Sequence, residues 1–119
     1  RGMQALNVYF GGDLYSHIPG HQQPRGDLIH GTLAVGQLAR LLGRRPAVTS
    51  NHHQALRRLG QGLQAVQVTP DGVIEAVAHG ALPVWGVQWH PERQSFLRRR
   101  SDAVDAAPLF TFFLSKMRG

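Results

Sequence analysis

One stretch does most to decide the fold of this 119-residue chain, and it reads LPVWGVQWHPE at residues 82–92. Its apolar first part is typical of a β-strand, and the polar residues after it end the strand. In open α/β sheets, active sites lie beyond the carboxyl ends of the strands. His90 could therefore take a proton from a nucleophile, and Glu92 could orient its imidazole. The alternative is a histidine that only ends the strand.

The segments on the N-terminal side of this stretch alternate between helix and strand patterns, which indicates the α/β class. Apolar residues recur at helical spacing near the start of the chain, and Gly11-Gly12 follows them. Helices are predicted at 2–10, at 35–42 and from Pro108 onward. Strands are predicted at 28–33, 46–50, 63–68 and 73–77, the last two joined as a hairpin by the turn at 70–72.

Two connections complete the prediction. Residues 13–27 contain two prolines, two glycines and the histidines His17 and His21, and they are predicted to form a long loop. Loops of this length in compact domains are commonly functional, so we expect this loop to lie beside the site. Residues 93–107 are polar and are predicted to be an exposed connection.

Composition excludes several classes of protein. The 13 Lys and Arg against 7 Asp and Glu give a net charge of +6, but the arginines form short clusters without interleaved aromatic residues. This favours a solvated basic surface over a nucleic-acid interface. No apolar run approaches the roughly 18 residues of a membrane span, and no signal-peptide pattern is present, so a cytoplasmic location is expected. With no cysteine, residues 1–119 contain no disulfide and no thiol nucleophile.

Two other segments carry polar chemistry. The sequence RGMQALN at 1–7 opens the first helix, and a helix N-terminus stabilises negative charge through its unpaired N–H groups. A plain amphipathic helix is the alternative. The sequence SNHHQ at 50–54 places His52 beside His53. Neighbouring residues on an extended chain point in opposite directions, which disfavours a shared metal ion. A loop that contacts substrate and a structural turn both remain open for this segment.

Four motifs, taken in order, resemble those of the class I glutamine amidotransferases. They are RGMQ with Asn7 and Gly11-Gly12, then NHHQ at 51–54, PDGVIEA at 70–76 and GVQWHPE at 86–92. The chain looks most like the γ-glutamyl-γ-aminobutyrate hydrolase branch. The resemblance implies a flavodoxin-like α/β fold, with a mainly parallel sheet and a β-hairpin. Residues 1–119 would then be the C-terminal part of one domain, whose N-terminal part is absent from this chain.

The resemblance also implies a nucleophile, a cysteine in a Gly-x-Cys-x-Gly-x-Gln turn between a strand and a helix. Gly2 and Gln4 match the later residues of that turn, so the cysteine is expected immediately before Arg1. Three explanations stay open: the sequence is a fragment, the cysteine is present in a modified form, or the protein is a degenerate homologue.

In such a site, the resemblance assigns roles to seven residues of this chain. His90 would act as the general base and Glu92 would orient it, while the backbone N–H of Arg1 would belong to the oxyanion hole. The substrate-binding positions would be Gln4, Asn51, His53 and Gln54. No metal and no cofactor is expected.

The implied function is hydrolysis of a γ-glutamyl amide through a Cys-His-Glu triad and a thioester. Its partners would be a small γ-glutamyl substrate and the N-terminal part of the same domain, with no nucleic acid and no membrane, and a homodimer is left open. Two alternatives remain: a glutaminase subunit that delivers ammonia to a synthase, and an inactive homologue that acts as a binding module.

Overall fold

The computed structural model describes residues 2–23, 28–96 and 100–118. Its helices are α1 (Gly2–Tyr9), α2 (Gly36–Leu42) and α3 (Ala107–Arg118), with a short 3₁₀ helix at Pro91–Gln94. Its strands are β1 (Leu14–Tyr15), β2 (Leu28–Gly31), β3 (Leu33–Ala34), β4 (Ala47–Ser50), β5 (Ala55–Leu56), β6 (Leu63–Val68), β7 (Ile74–His79) and β8 (Trp85–Val87).

The strands form one four-stranded sheet, in the order β3-β6-β7-β8, and two small pairs, β1-β5 and β2-β4. The predicted hairpin is present: β6 and β7 are antiparallel neighbours, joined by a turn in which the Thr69 N–H donates to the Val73 carbonyl over 3.0 Å. Gly72 has a φ of +85° in this turn, a conformation that favours glycine. The α/β class and the hairpin are therefore confirmed.

The predicted mainly parallel sheet is not found among the described residues, since every strand pair there is antiparallel. In the four-stranded sheet the reason lies in the connections. Residues 69–73 join β6 to β7 and residues 80–84 join β7 to β8. Parallel neighbours need a crossover of about a dozen residues or more, so such short turns require antiparallel pairing.

The central strand β7 is covered on both faces. Ala76 belongs to an apolar cluster with Leu38 of α2 and Leu109 of α3. Val77, the next residue, belongs to a second cluster with Met3 of α1, because successive strand residues point to opposite faces. A Cβ atom on Gly86 of β8 would lie only 3.2 Å from the Met3 side chain, so this glycine permits the close approach of α1.

The strand predicted at 82–89 is shorter than expected, because only Trp85–Val87 pairs with β7. The segment before it forms a turn, in which Nδ1 of His79 accepts from the N–H groups of Ala81 and Leu82 over 3.0 Å each. The pairing with β7 continues in one bond beyond β8, since the Gln88 N–H donates to the Glu75 carbonyl over 2.8 Å. The end of β8 is thereby fixed immediately before His90.

The connection predicted to be exposed is partly buried. Gln94 is fully buried, and its Oε1 accepts from the Thr49 N–H of β4 over 2.9 Å. Its Nε2 donates to the Val104 carbonyl over 2.9 Å. The expectation of exposure was wrong for this residue because an amide that satisfies backbone groups can be buried at low cost.

Candidate active site

A cavity of about 390 Å³ opens where segments that are distant in the sequence converge. It is lined by Gln4, Gln22, Asn51, His52, His53, Gln54, Gln88 and His90. Five of these eight residues are positions that the sequence singled out, namely Gln4, Asn51, His53, Gln54 and His90. The fold therefore brings together residues separated by up to 86 positions.

The walls of this cavity are connected through the side chain of Gln4 on α1. Its Nε2 donates to Oε1 of Gln88, which follows β8, over 3.1 Å. The same amide donates to the Gln54 carbonyl, in the loop after β4, over 3.4 Å. One half-buried amide thus bridges the three segments that carry the predicted substrate-binding and catalytic residues.

His90 and Glu92 form a local pair at one side of the cavity. Nδ1 of His90 lies 3.1 Å from Oε1 of Glu92, and both side chains are largely exposed. His90 is the last extended residue before the 3₁₀ helix, and Pro91 follows as the first helical residue. Proline suits that position because its missing N–H would have no partner there. Glu92 in the first turn is thereby carried back toward the imidazole.

Arg1, the predicted source of an oxyanion-hole N–H, lies outside the described residues. The adjacent histidines of the loop point apart, as their spacing predicts. His52 is buried, with Nε2 3.1 Å from Oε1 of Glu75, whereas His53 is exposed and its ring centre lies 6.4 Å from that of His17.

A buried cluster of charged groups lies behind the cavity wall. The carboxylate of Glu75 on β7 is fully buried, and its Oε1 lies 3.3 Å from Nδ1 of His21, in addition to its contact with His52. The opposite nitrogen of His21, Nε2, lies 2.9 Å from Oδ2 of Asp71. His21 therefore sits between two carboxylates, and we refer to His21, His52, Asp71 and Glu75 as the floor cluster.

These contacts move the pKa values of the floor cluster. The hydrogen bond to Glu75 is the main reason that the pKa of His21 is raised, against the opposing effect of burial, and Asp71 adds to the rise. Burial alone would raise the pKa of Glu75, but hydrogen bonds from His21 and His52 outweigh it and the pKa is lowered. Burial also opposes the shift at Asp71, whose pKa is lowered by hydrogen bonds from Thr69 and His21.

Within the described ranges, one group of three side chains has potential ligand atoms close enough for a single metal ion. These are His21, His52 and Glu75, whose ligand atoms lie within 4.8 Å of one another. The two nitrogens that face Glu75 are already at hydrogen-bonding distance from it. Hydrogen bonding therefore accounts for their arrangement without an ion.

Several residues of the site were missed by sequence reasoning. Gln22 and Gln88 line the cavity, and Glu75 lies behind it. A signal existed for Glu75, because it is a single charge inside the apolar stretch 73–77. A carboxylate buried in a strand needs polar partners, and those partners come from loops 23 and 54 positions away.

Fold and cavity together define a class I glutamine amidotransferase domain. A crystal structure of a Thermoplasma acidophilum protein, described as a "putative gmp synthase" component, has the same fold, with a TM-score of 0.70. The match covers 97% of this chain and 54% of that one, at 14% sequence identity. More narrowly, the Peptidase C26 family matches residues 1–92, and the chain belongs to that family. The resemblance seen in the sequence motifs is thereby confirmed.

Sequence relatives agree with this assignment. A Mycobacterium tuberculosis protein named "Putative glutamine amidotransferase Rv2859c" is 41% identical over 119 aligned residues, which cover 90% of this chain and 38% of that protein. The glutamine-hydrolysing subunit of GMP synthase from Methanosarcina barkeri is 30% identical, over 76% of this chain and 47% of that protein. The chain thus spans about half or less of the length of these relatives. Among the described residues, none of the helices has the length and apolar character needed to cross a membrane.

Proposed function

We propose that the complete protein hydrolyses a γ-glutamyl amide bond, and that residues 1–119 supply the base, its orienting carboxylate and most of the glutamyl pocket. One observation carries this proposal: His90, paired with Glu92, lines the same cavity as Gln4 and the 51–54 loop. A histidine oriented by a carboxylate beside a polar cavity is the arrangement that nucleophilic amide hydrolysis requires.

The proposed steps use a cysteine immediately before Arg1. His90 accepts the thiol proton at Nε2, because Nδ1 faces Glu92 and its N–H can donate to that carboxylate. The thiolate attacks the γ-carbonyl carbon, and the backbone N–H of Arg1 belongs to the oxyanion hole that holds the resulting negative oxygen. His90 returns the proton to the departing amine, which leaves a γ-glutamyl thioester. Water then attacks the thioester, and His90 accepts its proton and returns it to the sulfur.

The cavity lining suits the glutamyl group. Its eight residues are amides and imidazoles, and none is an Arg, Lys, Asp or Glu. A glutamyl group with a free α-amino and α-carboxylate carries no net charge, so a lining of polar groups that can both donate and accept is well matched. Gln4, Asn51, His53 and Gln54 are the proposed contacts. Gln22, from the loop at 13–27, lies where the amine half of the substrate would be selected.

We further propose that this chain is the C-terminal part of one domain. Large apolar side chains on α1 are exposed, including Tyr9 at 82% and Val8 at 53%. The matched fold is longer, since this chain covers 54% of it. An N-terminal part of the same domain would cover such surface and would provide the strand before α1.

A second candidate function is a glutaminase subunit that passes ammonia to a synthase. It is favoured by the relative from Methanosarcina barkeri, whose name describes a glutamine-hydrolysing subunit of GMP synthase. The two candidates differ in their substrate and in their need for a partner. A hydrolase turns over γ-glutamyl amides of several amines alone, whereas a subunit prefers glutamine and is activated by its synthase.

The test uses the full-length protein with γ-glutamyl-p-nitroanilide and, separately, with glutamine. We expect release of the amine and a covalent γ-glutamyl adduct that mass spectrometry detects after rapid acid quenching. Glutamine turnover alone, stimulated by a synthase, would favour the second candidate. Absence of both turnover and adduct would refute both and leave the inactive binding module.

A further inference from the structure

The floor cluster connects a buried carboxylate to the loop that lines the cavity. Oε1 of Glu75 is 3.1 Å from Nε2 of His52. On the other side of the same ring, Nδ1 lies 2.9 Å from the Gln54 carbonyl. A carbonyl oxygen can only accept, so Nδ1 carries a proton and donates it. The ring of His52 therefore links Glu75 to the backbone of Gln54 and closes the turn between them.

A second link runs from Glu75 to the opposite wall. His21 contacts the same oxygen through Nδ1, at 3.3 Å. The His21 carbonyl accepts from the His52 N–H over 2.9 Å and from Oγ of Ser50 over 3.0 Å. The residue after His21 is Gln22, which lines the cavity. One carboxylate thus lies beneath two separate walls, each of which places its neighbouring residue in the cavity.

Glu75 itself does not line the cavity. It is fully buried and belongs to β7, the strand that is packed on both faces. A rigid strand is a better reference point for a loop than another loop would be, because its backbone is fixed by hydrogen bonds on both sides. The network is also isolated from solvent, where its charged hydrogen bonds are stronger than they would be in water.

We propose that Glu75 is a positioning residue, which acts through His52 to hold the 51–54 loop and through His21 to hold Gln22 in the shape that binds substrate. This inference rests on the proposed function, in that the cavity is taken as the substrate site. It assigns Glu75 no contact with substrate and no proton transfer in the reaction. Its loss should therefore weaken binding more than it slows the chemical step.

The experiment compares Glu75→Gln with Asp102→Asn in the full-length protein. Both changes replace a carboxylate with an amide, but Asp102 forms an exposed ion pair with Arg100, away from the residues that line the cavity. With γ-glutamyl-p-nitroanilide, Glu75→Gln should raise KM about 10-fold and change kcat less than about 2-fold. Asp102→Asn should leave both unchanged. Amide hydrogen exchange should quicken at 51–54 and at 21–22 in Glu75→Gln alone.

A double-variant cycle tests the route of the effect. His52→Gln should raise KM on its own, and Glu75→Gln should add less to KM in that background than in the wild-type protein, because part of its effect passes through His52. His52→Gln also replaces Glu75→Gln as the test if the latter does not fold, since it removes the same link and leaves the carboxylate in place. Full additivity of the two changes in KM would overturn the proposal.

Other outcomes are equally decisive. A lower melting temperature with a reduced kcat and an unchanged KM would show a merely structural role, because loss of folded protein reduces only the active fraction. Unchanged KM and unchanged exchange in a folded Glu75→Gln protein would also overturn the inference. If the wild-type protein has no activity on γ-glutamyl amides, the proposed function fails. The exchange rates at 51–54 and 21–22 then decide on positioning by themselves.

Discussion

Nδ1 of His90 lies 3.1 Å from Oε1 of Glu92, two residues further along the chain. The pair is local and needs only the turn that Pro91 begins. It fixes which nitrogen of the imidazole is engaged by the carboxylate and leaves Nε2 as the one that can exchange a proton with a nucleophile.

Replacing His90 with Asn should abolish most of the activity, since it removes the proposed base. We expect kcat to fall about 1000-fold or more in the full-length protein, measured with γ-glutamyl-p-nitroanilide. The side chain is 43% exposed, so the melting temperature should stay close to that of the wild type. Near-normal turnover by this variant would exclude His90 as the base.

Glu92→Gln should be less damaging than His90→Asn. The carboxylate orients and stabilises the imidazole but does not itself transfer the proton, and Gln can still accept a hydrogen bond from Nδ1. We expect the loss in kcat to be smaller by about 10-fold or more. A loss as large as that of His90→Asn would mean that the carboxylate takes a more direct part in the reaction.

Asn7 should be a major contributor to the free energy of unfolding. It is fully buried, its Nδ2 donates to the carbonyls of Asp13 and Arg58, and its Oδ1 accepts from the Gly60 N–H over 2.7 Å. Asn7→Ala leaves these backbone groups unpaired and should cost about 2–3 kcal/mol in urea unfolding. Thr111→Ala, at an exposed position on α3, is the control and should cost less than about 0.5 kcal/mol.

Gly12→Ala should destabilise the same region for a steric reason. An added Cβ would overlap the Arg58 carbonyl oxygen and the side-chain amide of Asn7. Since one of these is backbone, the cost should be about 1–3 kcal/mol in the same measurement. The matched control is Gly31→Ala, because nothing lies within 4 Å of a Cβ at that position. Equal stability of the two variants would contradict the close packing after α1.

The floor cluster predicts how stability depends on pH. The pKa of His21 is raised above its ordinary value of 6.5, so its contribution is fully present below that value. The contribution is lost as the pH rises through the folded-state pKa. The pKa values of Glu75 and Asp71 are lowered from 4.5 and 3.8, so their contributions are present above those values and are lost as the pH falls through the folded-state pKa values.

The cluster should therefore stabilise the fold most between about pH 4.5 and 6.5. Urea unfolding from pH 5 to pH 9 should show the free energy of unfolding decline above pH 6.5, by at most about 1.4 kcal/mol per pH unit for one proton. His21→Gln should flatten that decline. An equal decline in this variant would assign the effect to other histidines.

Local patterns in the sequence were sufficient for several elements. The helix predicted at 2–10 is observed at Gly2–Tyr9, and the predicted strand and hairpin at 63–77 are observed as β6 and β7. Each depends on side-chain periodicity and on glycine- or proline-containing turns, which act within a few residues. The motifs containing Gln4, the 51–54 loop and His90 could be picked out in the same way, although their roles stay predictions.

Tertiary structure alone decided the rest. The sequence does not show that His21 would meet Glu75, 54 positions away, or that Gln94 would satisfy the Thr49 N–H of β4. These pairs form because burial of the apolar faces of α1, α2 and α3 fixes the strands, and each buried polar group must then find whichever partner packing brings within reach. Residue type and local spacing thus determined the elements and the His90–Glu92 pair, whereas long-range packing determined the cavity and its buried support.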